Sequence, residues 1–159
     1  MTKDEIVLHN VPDLADVKTS FELLKQLGKQ CSYDKNLGTA VISGCVTSKV
    51  ASYELVKTMR ASIMALGPLT AFLGEAAVSL PGGCAIGARP VDLHIKGMKE
   101  LGADIILDDG YIKAVAPGSE RLKGGHINMD KVSVTGTENL RMAATLADGE
   151  TIIENAALE

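Results

Sequence analysis

An internal repeat is the feature that most restricts the fold of this chain. Residues 16–28, ending Leu-Lys-Gln-Leu-Gly, resemble residues 90–102, ending Met-Lys-Glu-Leu-Gly, at an offset of 74 positions. Two short strand patterns follow each copy, and the second pair is joined by Asp108-Asp109-Gly110, which is typical of a β-hairpin. The repeat therefore predicts a helix and two strands that recur as one structural unit.

A further strand and helix extend this unit. Glu5, Glu75 and Glu150 each begin a short apolar run, and we predict three equivalent strands at steps of 70 and 75 residues. Helices are predicted before the second and third of these strands, over residues 53–73 and 132–147. The first of these helices is apolar on more than one stripe, which is typical of a helix that is buried on all sides.

Composition and charge restrict the class of protein. The chain has 159 residues, 46% of them hydrophobic and 23% charged, as expected for one soluble globular domain. A net charge of −4 argues against a general nucleic-acid surface. The apolar run over residues 61–73 is interrupted and too short to cross a bilayer, and we predict no signal peptide from the first residues. We therefore expect a cytoplasmic protein without membrane or nucleic-acid partners.

The cysteines and histidines have no metal-like spacing. Three cysteines, Cys31, Cys45 and Cys84, are an odd number, so neither a disulfide framework nor a zinc site is predicted. The three histidines form no ligand pattern, and the glycines fit neither the P-loop nor the dinucleotide fingerprint. We expect no metal and no cofactor.

Cys84 lies in a glycine-rich stretch, Pro-Gly-Gly-Cys, with Arg89 five residues later. Glycine permits unusual backbone conformations and leaves the sulfur unshielded, and a nearby arginine favours the reactive thiolate. The alternative is a buried cysteine that acts as a small hydrophobe. We predict that residues 81–89 are a mobile lid and that Cys84 is the most reactive thiol, because Cys31 and Cys45 lie in strand-like stretches.

Three separated motifs resemble one known family. They are residues 53–62, the stretch from Leu80 through Cys84 to Arg-Pro-Val-Asp-Leu-His94, and Met-Asp-Lys-Val-Ser-Val at residues 129–134. Over nearly its whole length the chain resembles the UDP-N-acetylglucosamine enolpyruvyl transferases. The resemblance implies a transferase that moves the enolpyruvyl group of phosphoenolpyruvate to the 3-hydroxyl of UDP-N-acetylglucosamine. This step commits the sugar to bacterial peptidoglycan, and hence to cell-wall growth, cell shape and division.

The resemblance also implies a fold and a domain organisation. The expected fold is an α/β inside-out barrel of repeated β-α-β-α-β-β units, incomplete at both ends, with open strand edges. We expect one partial catalytic domain: the end of a first repeat at 1–46, a second repeat at about 47–118 and the start of a third at about 119–159. A second domain with the aspartate base, and a Gly-Ala-Lys-Asn segment, are expected to be absent, so the chain alone is expected to be inactive.

Site residues follow from the same resemblance. Cys84 is expected to be the general acid that protonates the methylene carbon of phosphoenolpyruvate, and to be the residue modified by the epoxide fosfomycin. Arg89 is expected to contact the phosphate of phosphoenolpyruvate. The substrate-binding residues implied are Arg60, Arg89, Pro90, Val91, Asp92, Leu93, Lys131, Val132, Ser133 and Val134.

Structural alternatives remain open for several of these residues. Arg60 could pair with a carboxylate, Asp92 could be a first-turn acid, and Ser133 or Thr135 could cap a helix. Arg89 could be a solvated surface residue. For the whole chain the alternatives are the shikimate-pathway enolpyruvyl transferase, which does not rely on such a cysteine, and a non-catalytic binding module or thiol sensor.

Overall fold

A computed structural model describes residues 1–57, 59–80 and 91–158, and it is mixed α/β as predicted. The helices are α1 (Ala15–Gln26), α2 (Tyr53–Val56), α3 (Leu66–Leu73), α4 (Asp92–Glu100) and α5 (Val134–Ala144), with 3-10 helices at Arg60–Ala65 and Pro117–Ser119. The strands are β1 (Ile6–Leu8), β2 (Gln30–Asp34), β3 (Thr39–Ser43), β4 (Val50–Ala51), β5 (Glu75–Ser79), β6 (Asp104–Asp108), β7 (Tyr111–Val115), β8 (His126–Asn128) and β9 (Ile152–Glu154).

The strands form three sheets with related topology. The first has the order β1-β3-β2 and is antiparallel throughout. The second sheet has the order β4-β5-β7-β6. Its strands β5, β7 and β6 are antiparallel and correspond in order to β1, β3 and β2, and β4 pairs with β5 in parallel. The third sheet is the parallel pair β8-β9. Each parallel pair is connected through helical residues, as expected for a crossover connection.

Strand register confirms the predicted step of 70 residues. Ala40 and Ile112 are each the second residue of their strand, β3 and β7. Leu8 lies opposite Ala40 and Val78 lies opposite Ile112, so Leu8 and Val78 are equivalent. The hairpin strands β2–β3 and β6–β7 also coincide with the strand patterns predicted after each helix.

The parallel pairs agree with the predicted equivalence of β5 and β9. Val78 lies beside Ala51 in the second sheet, and Ile153 lies beside Ile127 in the third. Each of these two strands therefore pairs in parallel with the strand that precedes its helical connection. A β-α-β-α-β-β unit is described over β4 to β7, with related elements on either side of it.

The continuous helix predicted over residues 53–73 is wrong. The chain forms α2, turns to an extended Met59 (φ −140°, ψ 111°), and then forms the 3-10 helix before α3. Pro68 gives a physical reason for the 3-10 segment, because it has no N–H and its ring excludes an α-helical bond to the carbonyl of Met64. Pro68 is tolerated because it lies in the first turn of α3. Helix α5 is likewise shorter at both ends than predicted.

The main core surrounds α3. Residues Leu66, Gly67, Leu69, Thr70 and Ala71 of this helix are buried, which confirms the predicted all-round burial for this part of the segment. Helices α4 and α5 and the inner face of the second sheet complete the same core. A smaller cluster lies between α1 and the first sheet. Within the described ranges, no helix is long and apolar enough to span a bilayer.

Candidate functional site

Helix α5 is held in place by a close crossing with α3. The amide of Gly67 donates to Oδ1 of Asn139 at 2.8 Å, and Asn139 is fully buried. A Cβ on residue 67 would lie 2.5 Å from the backbone oxygen of Asn139, so the helices can approach this closely only with glycine at the position. The bond also satisfies a first-turn amide of α3 that has no partner within its own helix.

Helix α4 packs on α5 and runs beside β8. A Cβ at Gly97 would collide with the side chain of Leu140, which is fully buried. Near the end of α4, a Cβ at Gly125 would lie 2.5 Å from the carbonyl oxygen of Glu100. These two close approaches fix α4 against both α5 and the start of β8.

The first turn of α4 carries the predicted residues Val91, Asp92 and Leu93. Asp92 is the first residue of the helix, where its carboxylate interacts favourably with the positive end of the helix dipole. Asp92 therefore has the first-turn position that the structural alternative predicts. Val91 and Leu93 are half-buried and pack against the main core, so this segment is anchored by apolar contacts.

The second predicted segment, residues 131–134, leads into α5. Lys131 and Val132 are exposed, the latter to 61%. Ser133 is the N-cap of α5, and its Oγ accepts a hydrogen bond from the amide of Gly136 at 3.1 Å. The capping alternative for Ser133 is confirmed. Its hydroxyl hydrogen remains available to donate to a ligand.

An ion pair joins these two segments. The Lys96 ammonium donates to Oδ1 of Asp130 at 2.6 Å. Lys96 lies four residues after Asp92 on the same face of α4, and Asp130 immediately precedes Lys131. Sequence reasoning missed this pair. Asp130 stood inside a recognised motif, but its partner is 34 residues away and no local pattern connects them.

The other predicted residues are only partly described. Arg60 begins the 3-10 helix, which contacts α5, but its side chain lies outside the described part of the structure. Cys84, Arg89 and Pro90 also lie outside the described residues, and so does the predicted lid at 81–89. Among the described residues, 91–93 begin α4 and 131–134 lead into α5, and the Lys96–Asp130 pair links the two elements.

The two described thiols differ in their surroundings. Cys31 is half-buried in β2, and burial raises the pKa of its thiol above the ordinary value. Cys45 is exposed and follows the end of β3, so the prediction that it lies in a strand is wrong. Of these two thiols, Cys45 is the more accessible to reagents in solution.

The structure also has a surface groove. It has a volume of about 750 Å³ and lies between Met64, α5 and the segment entering β9. Its described lining contains none of the predicted substrate-binding residues. In the described ranges, no group of three or more His, Cys, Asp or Glu side chains could hold a metal ion.

The fold agrees with the family comparison. The chain belongs to the EPSP synthase (3-phosphoshikimate 1-carboxyvinyltransferase) family, whose model matches residues 1–159. This is a family of transferases. Solved structures agree on the fold. The enolpyruvyl transferase NikO from Streptomyces tendae matches with a TM-score of 0.81 at 19% identity, and the match covers 99% of this chain and 37% of the NikO chain. EPSP synthase from Acinetobacter baumannii has a TM-score of 0.67 at 18% identity, with 96% and 35% covered.

Particular relatives are much closer in sequence. The chain is 63% identical over 156 residues to the UDP-N-acetylglucosamine 1-carboxyvinyltransferase of Aeromonas hydrophila, which covers 98% of this chain. It is 56% identical over 159 residues to the enzyme of that name from Coxiella burnetii, covering 100% of this chain. The chain spans 36% of the length of each of these relatives. The resemblance identified from the three motifs is confirmed, and so is the enolpyruvyl-transferase fold.

Proposed function

We propose that this chain is a catalytic part of a UDP-N-acetylglucosamine 1-carboxyvinyltransferase. The reaction would move the enolpyruvyl group of phosphoenolpyruvate to the 3-hydroxyl of UDP-N-acetylglucosamine and release phosphate, as a step of peptidoglycan synthesis in the bacterial cytoplasm. The observation that carries this proposal is the 63% identity, across 98% of the chain, to a relative with that name.

In this proposal Cys84 supplies the acid. Its thiol gives a proton to the methylene carbon of phosphoenolpyruvate, while the sugar 3-hydroxyl gives its proton to the aspartate base expected from the second domain and its oxygen bonds to the neighbouring carbon. Phosphate then leaves, and the new methyl group returns a proton to the Cys84 thiolate, which restores the double bond and the thiol. Arg89 holds the phosphate through its planar fork of N–H donors. Both residues belong to the Pro-Gly-Gly-Cys and Arg-Pro-Val-Asp motifs of the sequence.

The nucleotide sugar binds at the two helix starts in this proposal. The 91–93 segment and the 131–134 segment each lead into a helix, whose first-turn amides and dipole favour a diphosphate. Lys131 adds an exposed positive charge, and Ser133 keeps a hydroxyl hydrogen to donate. Arg60, at the start of a 3-10 helix that contacts α5, is proposed as a further substrate contact.

Domain organisation remains part of the proposal. We assign residues 1–46, 47–118 and 119–159 to successive repeats of one catalytic domain. Gly-Ala-Lys-Asn does not occur in these 159 residues, and we propose that this segment and the aspartate base belong to the remaining length of the enzyme, of which the chain spans 36% in its relatives. Because positioning and a catalytic base each contribute several powers of ten in rate, we expect no measurable turnover from this chain alone.

Ligand binding and thiol modification test the proposal separately from turnover. Titration calorimetry with UDP-N-acetylglucosamine and with shikimate 3-phosphate should show binding of the first ligand only. The reverse preference would favour the shikimate-pathway alternative, and binding of neither would favour a non-catalytic module.

Fosfomycin tests the role of Cys84. Mass spectrometry should place a single covalent adduct on Cys84. Cys84→Ala should remove the adduct and leave nucleotide-sugar binding intact. An adduct on Cys45 or Cys31 instead would contradict the assignment of the acid.

A further inference from the structure

We infer that Lys96 and Asp130 form a positioning pair that holds the 131–134 segment against the start of α4. The inference rests on the proposed function, since these segments are the two sides of the proposed nucleotide-sugar site. Neither residue is among the predicted substrate contacts. Both act through their neighbours.

Lys96 and Asp130 each lie next to one of the two proposed binding segments, 91–93 and 131–134. The Lys96 ammonium and Oδ1 of Asp130 are 2.6 Å apart. On α4, Lys96 lies one turn after Asp92, and residues four apart on a helix are neighbours on its surface. On the other side, Asp130 is bonded directly to Lys131 along the chain. The ion pair thus joins α4 to the loop before α5. Each of its ends lies within one helical turn of a proposed binding segment, 91–93 on one side and 131–134 on the other.

Helix α4 is the fixed side of the bridge. The close approaches of Gly97 to Leu140 and of Glu100 to Gly125 leave α4 no room to shift towards α5 or β8. Loss of the Lys96 charge is therefore not expected to move the helix. Its effect should fall on the loop that carries Asp130.

Residues 129–133 form a loop that is anchored at both ends. At its start, the amide of Met129 donates to the Glu154 carbonyl at 3.2 Å, and the Met129 carbonyl accepts from Nδ2 of Asn155 at 2.8 Å. At its end, Ser133 caps α5. Between these anchors, in the described part of the chain, the Asp130 side chain supplies the contact to another element. Lys131 and Val132 depend on that contact for their position.

The expected effect is modest, because the pair is exposed. The side chains are 43% and 65% accessible, and exposed ion pairs are weak and screened by salt. We expect Lys96→Met or Asp130→Asn to weaken binding of UDP-N-acetylglucosamine about two- to fivefold. Lys113 and Asp108 form a matched pair on the second sheet, 2.5 Å apart and 42% and 57% accessible. Lys113→Met serves as the control and should leave the affinity unchanged.

A double-mutant cycle tests the inference. UDP-N-acetylglucosamine is titrated by calorimetry at low salt into the 159-residue chain, the two single variants, their double variant, and the charge swap Lys96→Asp with Asp130→Lys. We expect the double variant to be no weaker than either single variant, because both remove one interaction. The swap keeps the net charge and should restore affinity to within about twofold of the original. Unchanged single variants, additive losses or an unrestored swap would overturn the inference.

Hydrogen exchange without ligand separates this inference from the proposed function. Faster exchange at the amides of Lys131 and Val132 in Lys96→Met, with α4 unchanged, is the expected result. Equal exchange in both proteins overturns the positioning role. If the original chain binds no UDP-N-acetylglucosamine, the proposed function fails, and the exchange result alone then decides whether the pair holds the loop.

Discussion

Replacement of Gly67 by alanine should destabilise the protein, although alanine is the better helix former. A Cβ at this position would lie 2.5 Å from the backbone oxygen of Asn139 and 2.7 Å from its Oδ1. The first atom belongs to the backbone of α5 and cannot move aside by a rotamer change. The helices must therefore separate, and this strains the 2.8 Å hydrogen bond from the Gly67 amide.

The expected change in the free energy of unfolding for Gly67→Ala is the sum of three contributions. Overpacking a tight interface costs about 1–3 kcal/mol, and leaving a buried amide without its partner costs about 1–3 kcal/mol. Alanine recovers about 1 kcal/mol of helix propensity. The net loss in the free energy of unfolding should be about 3 kcal/mol. For a protein of this size that corresponds to a fall in Tm of about 6–12 °C.

Gly97→Ala is the matched control. It makes the same propensity gain in a helix that also packs on α5, but the three atoms nearest to its Cβ would be side-chain atoms of Leu140, which yield more readily than backbone. Urea unfolding followed by circular dichroism should show a clearly larger loss for Gly67→Ala than for Gly97→Ala. Equal losses, or a Gly67→Ala protein more stable than the original, would refute the backbone-contact argument.

Three further predictions concern a cap and two thiols. Ser133→Ala should lower the free energy of unfolding by about 1 kcal/mol, because the amide of Gly136 loses its cap. Ser133→Asp should retain most of this stability, since aspartate also caps helices. Equal losses for the two variants in urea unfolding would contradict the capping role. Cys45 should react with a mild alkylating reagent faster than Cys31, as measured by mass spectrometry, because Cys45 is exposed while Cys31 is half-buried. Burial raises the pKa of Cys31, so the folded protein holds the thiol proton more tightly than the unfolded chain does. The free energy of unfolding should therefore fall as pH rises above about 9. Cys31→Ser should remove this contribution to the pH dependence of stability.

Several features were predictable because they depend on local sequence. The repeat, the hairpin at Asp108-Asp109-Gly110 and the first-turn position of Asp92 each follow from residues close together in the chain. Ser133 was recognised as a possible cap for the same reason, and the structure confirms it. The motifs that identify the family are likewise short and continuous.

Only the tertiary structure decided the extended conformation of Met59 and the polar contacts between separate helices. Apolar periodicity over residues 53–73 predicted one helix, but it carried no information about the extended Met59. The Gly67–Asn139 bond spans 72 residues and the Lys96–Asp130 pair spans 34. Neither leaves a local pattern, because each contact forms only after separate helices pack. Local preference selects the elements, and close packing between them selects which polar groups meet.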